Sequence, residues 1–202
     1  MLSEGEKRVL LTLYLNKEGL HIREICRRAK LSLPSVAKHI IKGEDSGAII
    51  SEKKGSLKIC RLNFKNQNIQ PLLQNIESER FQKLPHKIQD SFNSFVDDIK
   101  EKPLASIIFG SYTKGNYTKK SDLDILLVFQ RIDNKLVKEI EASARKIKGR
   151  TGVNVQPVSL AYGEFEKEFL SRENEFMKDL RKSALVLRGA DIFAKLLGRL
   201  YI

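Results

Sequence analysis

The sequence predicts an α+β protein of two domains, and three observations lead to this prediction. Short helical patterns followed by a basic hairpin fill residues 1–65, whereas helices and strands alternate over residues 84–202. Residues 66–83 between them are interpreted as a connector that opens with amide side chains, and Pro71 is placed to begin a short helix there. Domains of about 80 and 120 residues are each large enough to bury a core.

Composition and charge narrow the class of protein. No run of about 18 apolar residues occurs, so no membrane span is predicted. Cys26 and Cys60 are isolated in the sequence, which indicates small buried thiols in a reducing, cytoplasmic setting. The formal net charge of +12 favours an anionic partner, with a solvated basic surface as the alternative. Residues 22–65 carry eleven Lys and Arg against four Asp and Glu, so the charge is concentrated there.

The first domain follows the order helix, helix, helix, hairpin. Apolar residues at helical spacing predict the first two helices, and Ser32 is a suitable N-cap for the third, with Pro34 in its first turn. Gly55 can adopt the positive φ that the hairpin turn needs. The predicted helices span 6–16, 21–30 and 32–47, and the predicted strands 49–51 and 57–62.

This order resembles the winged helix-turn-helix domains of prokaryotic regulators, and residues 21–25, 31–40 and 46–58 carry the resemblance. The chain departs from the family pattern at Gly43, where the family has an apolar residue. Glycine costs a helix about 1 kcal/mol, which predicts a frayed or bent end of the third helix.

The resemblance implies that the third helix enters the major groove of duplex DNA while the hairpin, or wing, contacts phosphate. Ser35, Lys38 and His39 would then face bases or phosphates, and Lys53 and Lys54 would hold phosphates. Two alternatives stay open. Such domains also bind proteins, and the lysines of the third helix can be merely its solvated face.

The second domain alternates helices with apolar strands. Its first helix, over 84–100, places Ile88, Phe92, Phe95 and Ile99 on one stripe, which predicts core packing. The last helix carries a similar stripe that either docks on the core or forms a homodimer contact. The remaining predicted elements are strands over 104–109, 122–129 and 152–160, helices over 135–150, 162–182 and 192–202, and a short strand or turn over 184–189.

Two short motifs of this domain carry chemistry. The strand that ends at Phe109 runs directly into Gly110-Ser111, which can approach a phosphate closely and bind its oxygens. Asp122 and Asp124 begin the next strand and project to the same face, because strand side chains alternate. Two adjacent carboxylates repel each other unless a cation neutralises them, and oxygen ligands favour Mg²⁺.

Together these motifs, 109–115 and 121–128, closely resemble the minimal nucleotidyltransferases of the DNA polymerase beta superfamily. The resemblance implies a mixed sheet flanked by helices over about 84–202, with Asp122 and Asp124 as catalytic metal ligands. Gly110 and Ser111 would bind the nucleoside triphosphate (NTP). Lys114 occupies a position where the group often has Arg, and it would neutralise part of the triphosphate charge. Lys119 and Lys120 lie nearby in the sequence.

One position departs from the family pattern. The family has a third carboxylate on a neighbouring strand, and Gln156 occupies that position here, with Asn154 on the same face. An amide adds no negative charge and cannot act as a general base. Glu164 and Glu166 are candidates to substitute from a loop, and Pro157 indicates an edge or bulged strand.

The leading hypothesis is a Mg²⁺-dependent nucleotidyltransferase, joined to a DNA-binding winged helix, that transfers a nucleoside monophosphate to an unknown acceptor. Many relatives of the minimal family act on a partner protein, so the resemblance also includes a protein acceptor. The alternative is a transcriptional regulator or antitoxin-like protein in which a weak or inactive nucleotidyltransferase fold senses nucleotide or dimerises. The replacement of the third acid by Gln156 motivates this second reading.

Overall fold

The computed structural model describes residues 2–66 and 68–201. It separates two compact units, Met1–Ile76 with Leu197–Ile202 and Glu77–Leu196. The sequence places the change of domain within 66–83, a range that includes the boundary between Ile76 and Glu77, and it assigns all of 84–202 to the second domain. Most of that predicted connector is one helix, Ile69–Gln82, although Gln67 within its amide-rich opening lies outside the described residues.

The first unit contains helices packed on a small antiparallel sheet. β3 lies between β1 and β2. The two-residue strand β1 is too short to leave a pattern in the sequence, and only its pairing with β3 reveals it. The elements are α1 (Glu4–Leu15), β1 (Leu20–His21), α2 (Ile22–Ala29), α3 (Leu33–Asp45), β2 (Ile49–Lys54), β3 (Leu57–Leu62), the start of α4 (Ile69–Gln82) and the end of α10 (Ala190–Leu200).

Gly43 does not fray the third helix, so that expectation is wrong. α3 continues to Asp45, and Ile49 of β2 packs directly on the face of the helix at Gly43. A Cβ added at Gly43 would lie 2.5 Å from Cδ1 of Ile49, which is 2% exposed. The glycine therefore allows the helix and the strand to approach closely. The packing of Ile49 compensates for the low helix propensity of glycine.

The second unit begins within α4 and ends within α10. Its predicted elements are present, but the single helix expected over 162–182 is wrong. Asn174 caps a new helix by accepting a hydrogen bond from the amide of Met177, so the chain forms α8 and α9 with a break between them. The elements are α5 (His86–Asp98), β4 (Ala105–Phe109), α6 (Ser111–Lys114), β5 (Leu123–Phe129), α7 (Asn134–Thr151), β6 (Val155–Ala161), α8 (Tyr162–Leu170), α9 (Glu175–Ser183), β7 (Leu185–Arg188) and α10 (Ala190–Leu200).

These strands form a mixed sheet in the order β6-β5-β4-β7. β5 pairs antiparallel with β4 and parallel with β6, so the end of β4 and the starts of β5 and β6 meet at one edge of the sheet. Within the described residues β6 is one of the two edge strands of this sheet, which agrees with the position of Pro157 inside it. This topology brings Gly110, Asp122 and Asn154 to the same edge.

The core of the second unit lies between the sheet and the helices α5 and α7. The stripe predicted from the sequence, Ile88, Phe92, Phe95 and Ile99, is fully part of it. Leu123, Ile125 and Leu127 of β5 face this core, so the alternate residues of β5 face the other side of the sheet. No helix in the described part of the chain is both long and apolar enough to cross a membrane.

Candidate functional site

Gly110 forms the sharp turn between β4 and α6, with φ +74° and ψ −145°. A side chain at this position would strain the backbone, because L residues rarely adopt such a φ. It would also collide with the site, since an added Cβ would lie 2.1 Å from Oδ2 of Asp124. The carboxylate of Asp124 thus occupies the space that the glycine leaves, and Ser111 follows at the start of α6.

The register of the sheet aligns three side chains across adjacent strands. Phe109 of β4 and Gln156 of β6 are both direct partners of Asp124 of β5. Directly paired residues project from the same face, and Asp122, two residues earlier, projects with Asp124. Nε2 of Gln156 donates a hydrogen bond to Oδ2 of Asp122 at 3.4 Å. The structure therefore brings both aspartates and Gln156 together beside the turn at Gly110.

Neither aspartate forms an ion pair within the described residues, and the two carboxylates repel each other. Burial raises the pKa of Asp124, and the charge of Asp122 raises it further. No group of three His, Cys, Asp or Glu side chains suited to a metal ion occurs among residues 2–66 and 68–201. The available oxygen donors are therefore two carboxylates and the amide of Gln156. This set fits a hard divalent cation, because a bound cation would offset the repulsion that raises the pKa of Asp124.

Lys114 lies on α6 and forms an ion pair with α9. Its Nζ is 2.8 Å from Oδ2 of Asp179. α9 also places Phe176 against Phe109, with the ring centroids 5.2 Å apart in an edge-to-face arrangement. Phe176 is 39% exposed, so its ring forms part of the surface beside the aspartates.

Sequence reasoning missed the part played by α9. Phe176 and Asp179 were assigned to a continuous charged helix, in which their position relative to the site could not be inferred. The missed signal was the Ser171–Asn174 stretch, where Asn174 is a good N-cap residue. That break turns the chain and brings Phe176 and Asp179 to the side of β4 and α6.

Glu164 and Glu166 do not replace the missing third acid. Both lie in α8, which begins where β6 ends, rather than in a loop. Asp122 and Asp124 lie at the start of β5, and β5 and β6 are parallel, so α8 begins at the opposite edge of the sheet. A seven-residue strand is about 20 Å long, which is too far for a shared metal ligand.

The side chains suggested for DNA contact differ in their accessibility. Lys38 of α3 and Lys53 and Lys54 of β2 are exposed, whereas Ser35 and His39 are half-buried. His39 packs against α1, because a Cβ at Gly5 would lie 2.6 Å from its Nε2. The imidazole is therefore in contact with a neighbouring helix.

Most other cations of the first unit's helices and hairpin are paired with carboxylates. Arg27 and Arg28 both contact Glu24 at 2.6 Å, and these hydrogen bonds lower the pKa of Glu24 to about 2. The charge available to an external partner is thus smaller than the sequence total indicates. The other pairs among the described residues of these elements are Arg8–Glu4, Lys42–Glu6, Lys58–Glu44 and Arg61–Glu52.

Comparison with known families agrees with the geometry of the second unit. Residues 90–184 match the family described as "Nucleotidyltransferase domain". None of the curated proteins compared with the chain matches it. The family match includes β4, β5 and β6, together with the turn at Gly110 and both aspartates. It supports a nucleotidyltransferase fold for the part of the chain that carries this site.

Proposed function

We propose that this protein is a Mg²⁺-dependent nucleotidyltransferase that transfers a nucleoside monophosphate from an NTP to an acceptor. The observation that carries the proposal is the crowding of Asp122 and Asp124 beside the glycine turn, where the pKa of Asp124 is raised. In the reaction, an acceptor oxygen bonds to the α-phosphorus, and the bond from that phosphorus to pyrophosphate breaks. The acceptor proton leaves to solvent, since Gln156 cannot accept it.

Each residue of the site has a defined part in this proposal. Asp122 and Asp124 hold Mg²⁺, which would neutralise the triphosphate and the charge that develops at the α-phosphorus. Gly110 and Ser111 bind phosphate oxygens through backbone and hydroxyl groups. Gln156 orients Asp122 through its hydrogen bond. Lys114 contributes positive charge to the triphosphate and is held in place by Asp179 until the nucleotide binds.

The test is transfer of label from an α-³²P-labelled NTP in the presence of Mg²⁺, with protein, RNA and small-molecule acceptors supplied in turn. We expect Asp124→Asn to reduce transfer by about a hundredfold or more, because the metal loses a ligand. Glu164→Gln is the matched control, since it removes an exposed acid at the opposite edge of the sheet. Equal labelling by the wild type and Asp124→Asn would contradict the assignment.

A second function is favoured by one observation, the amide of Gln156 at the position of an expected acid. In this alternative, a regulator binds NTP at the same residues but does not turn it over. Calorimetry with Mg²⁺ and a non-hydrolysable NTP measures nucleotide binding, and the labelling assay together with a DNA titration then distinguishes the two functions. Binding without transfer to any acceptor, together with DNA affinity that changes with NTP, would favour the regulator.

We also propose that the first unit is a winged helix that binds duplex DNA. The order of three helices and a hairpin, with β3 central in the sheet, supports this proposal. Lys38 on α3 and Lys53 and Lys54 near the hairpin tip are exposed cations that can contact phosphates. A reducing, cytoplasmic setting fits both this role and the free thiols of Cys26 and Cys60.

The DNA proposal is tested by titrating a fluorescent duplex at several salt concentrations. Replacing Lys53 and Lys54 together by Gln should weaken binding and reduce the slope of log K against log salt by about 2. Lys138→Gln, on exposed α7 of the other unit, should change neither quantity. An unchanged salt slope in the double variant would show that the hairpin lysines do not contact DNA phosphates.

A further inference from the structure

A cavity adjoins the aspartate pair. It is a cavity of about 370 Å³ at the same edge of the sheet, and Asp122 forms part of its wall. The other wall residues come from the start of α5, from α6, from the loop between α6 and β5, and from the segment that precedes β6. The residues that give the cavity its chemistry are Lys87, Lys119, Lys120, Tyr112, Tyr117 and Asp122.

The three lysines give the cavity an excess of positive charge. Nζ of Lys87 would lie 3.7 Å from a Cβ at Gly152, which places it at the C-terminal end of α7. In the part of the chain that the structure describes, none of the three forms an ion pair with a carboxylate. Lys114, by contrast, is paired with Asp179. Unpaired cations beside a single acid, Asp122, favour an anionic ligand.

An aromatic platform lies beside these cations. The rings of Tyr112 and Tyr117 stack with their centroids 4.6 Å apart and an angle of 22° between their planes. Tyr112 is buried, and its hydroxyl donates a hydrogen bond to the carbonyl of Ser121 at 3.4 Å, which holds the ring of Tyr112 in place. Tyr117 is 39% exposed. Its outer ring face is therefore available to a planar group such as a nucleobase.

The loop that carries two of the lysines is closed by its own hydrogen bonds. The amide of Thr118 donates to Oγ of Ser121 at 2.8 Å, and the amide of Ser121 donates to the carbonyl of Thr118 at 3.1 Å. The amide of Lys120 donates to Oγ1 of Thr118 at 3.3 Å. This turn carries Lys119 and Lys120 shortly before Asp122, so the backbone that bears these two exposed cations is held close to the aspartates.

We infer that this cavity binds one nucleotide and that this nucleotide is the acceptor of the transfer reaction. The lysines bind its phosphate, and its base stacks on Tyr117. The volume falls in the usual range for small-molecule sites, about 300–1,000 Å³. The inference rests on the proposed function, because the shared wall at Asp122 places an acceptor hydroxyl next to the donor. That hydroxyl oxygen bonds to the α-phosphorus, pyrophosphate departs, and the proton passes to solvent.

A free mononucleotide and the terminal nucleotide of a single strand offer the same chemistry to this cavity. The experiment therefore measures the binding of two probes, AMP and single-stranded hexa-adenylate, without metal or NTP. Three variants test the cavity: Lys119→Gln with Lys120→Gln, Tyr117→Ala, and Tyr117→Phe, which retains the stacking ring. The matched control is Lys135→Gln with Lys138→Gln, two exposed lysines at the far end of α7.

We expect the double lysine variant and Tyr117→Ala each to raise the Kd of the better probe by about tenfold. Tyr117→Phe and the control pair should stay within about twofold of the wild type. Tighter binding of hexa-adenylate than of AMP would identify a strand end as the acceptor, and the reverse order would identify a mononucleotide. Repeating the titration with saturating Mg²⁺ and a non-hydrolysable NTP should leave binding intact.

Three results would overturn the inference: no binding of either probe by the wild type, equal losses in the cavity and control variants, or displacement of the probe by the NTP analogue. The third result would assign the cavity to the donor. None of these measurements depends on turnover, so they are separate from the test of the proposed function. If the protein binds AMP in this cavity but transfers no label, the proposed transfer function is wrong and the nucleotide-binding site is still supported.

Discussion

One acid in each unit illustrates two opposite environments for a carboxylate. In the first unit Glu24 lies between Arg27 and Arg28, and their hydrogen bonds lower its pKa to about 2. In the second unit the pKa of Asp124 is raised by burial and by Asp122. A paired carboxylate contributes to the fold, whereas a crowded one is retained at a cost in stability that a bound cation can offset. The direction of the pKa shift therefore distinguishes a carboxylate that stabilises the fold from one that suits a bound cation, and net charge does not make this distinction.

The largest effect is expected where the crowded carboxylate meets the glycine turn. Gly110→Ala would place a methyl group 2.1 Å from Oδ2 of Asp124 and displace it. We expect a loss of transfer of about a hundredfold or more, because metal ligands must be held accurately. Gly115→Ala is the control for a positive φ alone: its φ is +75° with ψ 13°, and its Cβ meets nothing within 4 Å. Similar losses in both variants would show that the positive φ, and not the carboxylate, is responsible.

The next prediction concerns the packing of α3 against β2 in the first unit. Gly43→Ala would bring a Cβ to 2.5 Å from Cδ1 of Ile49, so we expect overpacking to destabilise the protein by about 1–3 kcal/mol. Gly149→Ala, in the open helix α7, should instead stabilise it by about 0.5–1 kcal/mol. Chemical denaturation measures both. A stabilised Gly43→Ala variant would contradict the close approach of α3 and β2.

A smaller effect is expected from neutralising the crowded carboxylate. Because the folded pKa of Asp124 is raised, its ionised form destabilises the fold at neutral pH, and this cost disappears below its ordinary pKa of 3.8. Asp124→Asn should therefore have a higher Tm than the wild type at pH 7, and the gap should close as the pH falls. Mg²⁺ should raise the Tm of the wild type but not of the variant. A lower Tm for Asp124→Asn at pH 7 would refute this account.

The smallest effect is expected at the paired acid, which lies on the surface. The lowered pKa of Glu24 means that its contribution to stability is present above its ordinary pKa of 4.5 and is lost as the pH falls towards about 2. Glu24→Gln should therefore lower the Tm slightly at pH 7 and by progressively less in acid. High salt should reduce the difference, because exposed ion pairs are screened. A difference independent of pH would indicate lost packing instead.

Much of the second unit could be predicted because its signals are local. The stripe from Ile88 to Ile99 defined α5, and the apolar runs ending at Phe109 and beginning after Asp122 defined β4 and β5. The break between α8 and α9 was missed because apolar residues at helical spacing continue on both sides of it, which obscured the cap at Asn174. The sequence pattern also misjudged Gly43, since propensity describes an isolated helix and not one packed on Ile49.

The sequence by itself determined most of the helices and strands, but not β1, α6 or the break between α8 and α9. It also placed Gly110, Ser111, Asp122 and Asp124 at strand ends, because strand periodicity and short spacing leave little freedom there. The tertiary structure alone decided which side chains meet across distant segments. It paired Gln156 with Asp124, Lys114 with Asp179 and Phe176 with Phe109, and it closed the lysine and tyrosine cavity beside Asp122. The register of β5 with β6 is set across a long connection, and no local pattern encodes it. The turn before α9 does have a local signal, the cap at Asn174, but the sequence alone does not show what α9 then contacts.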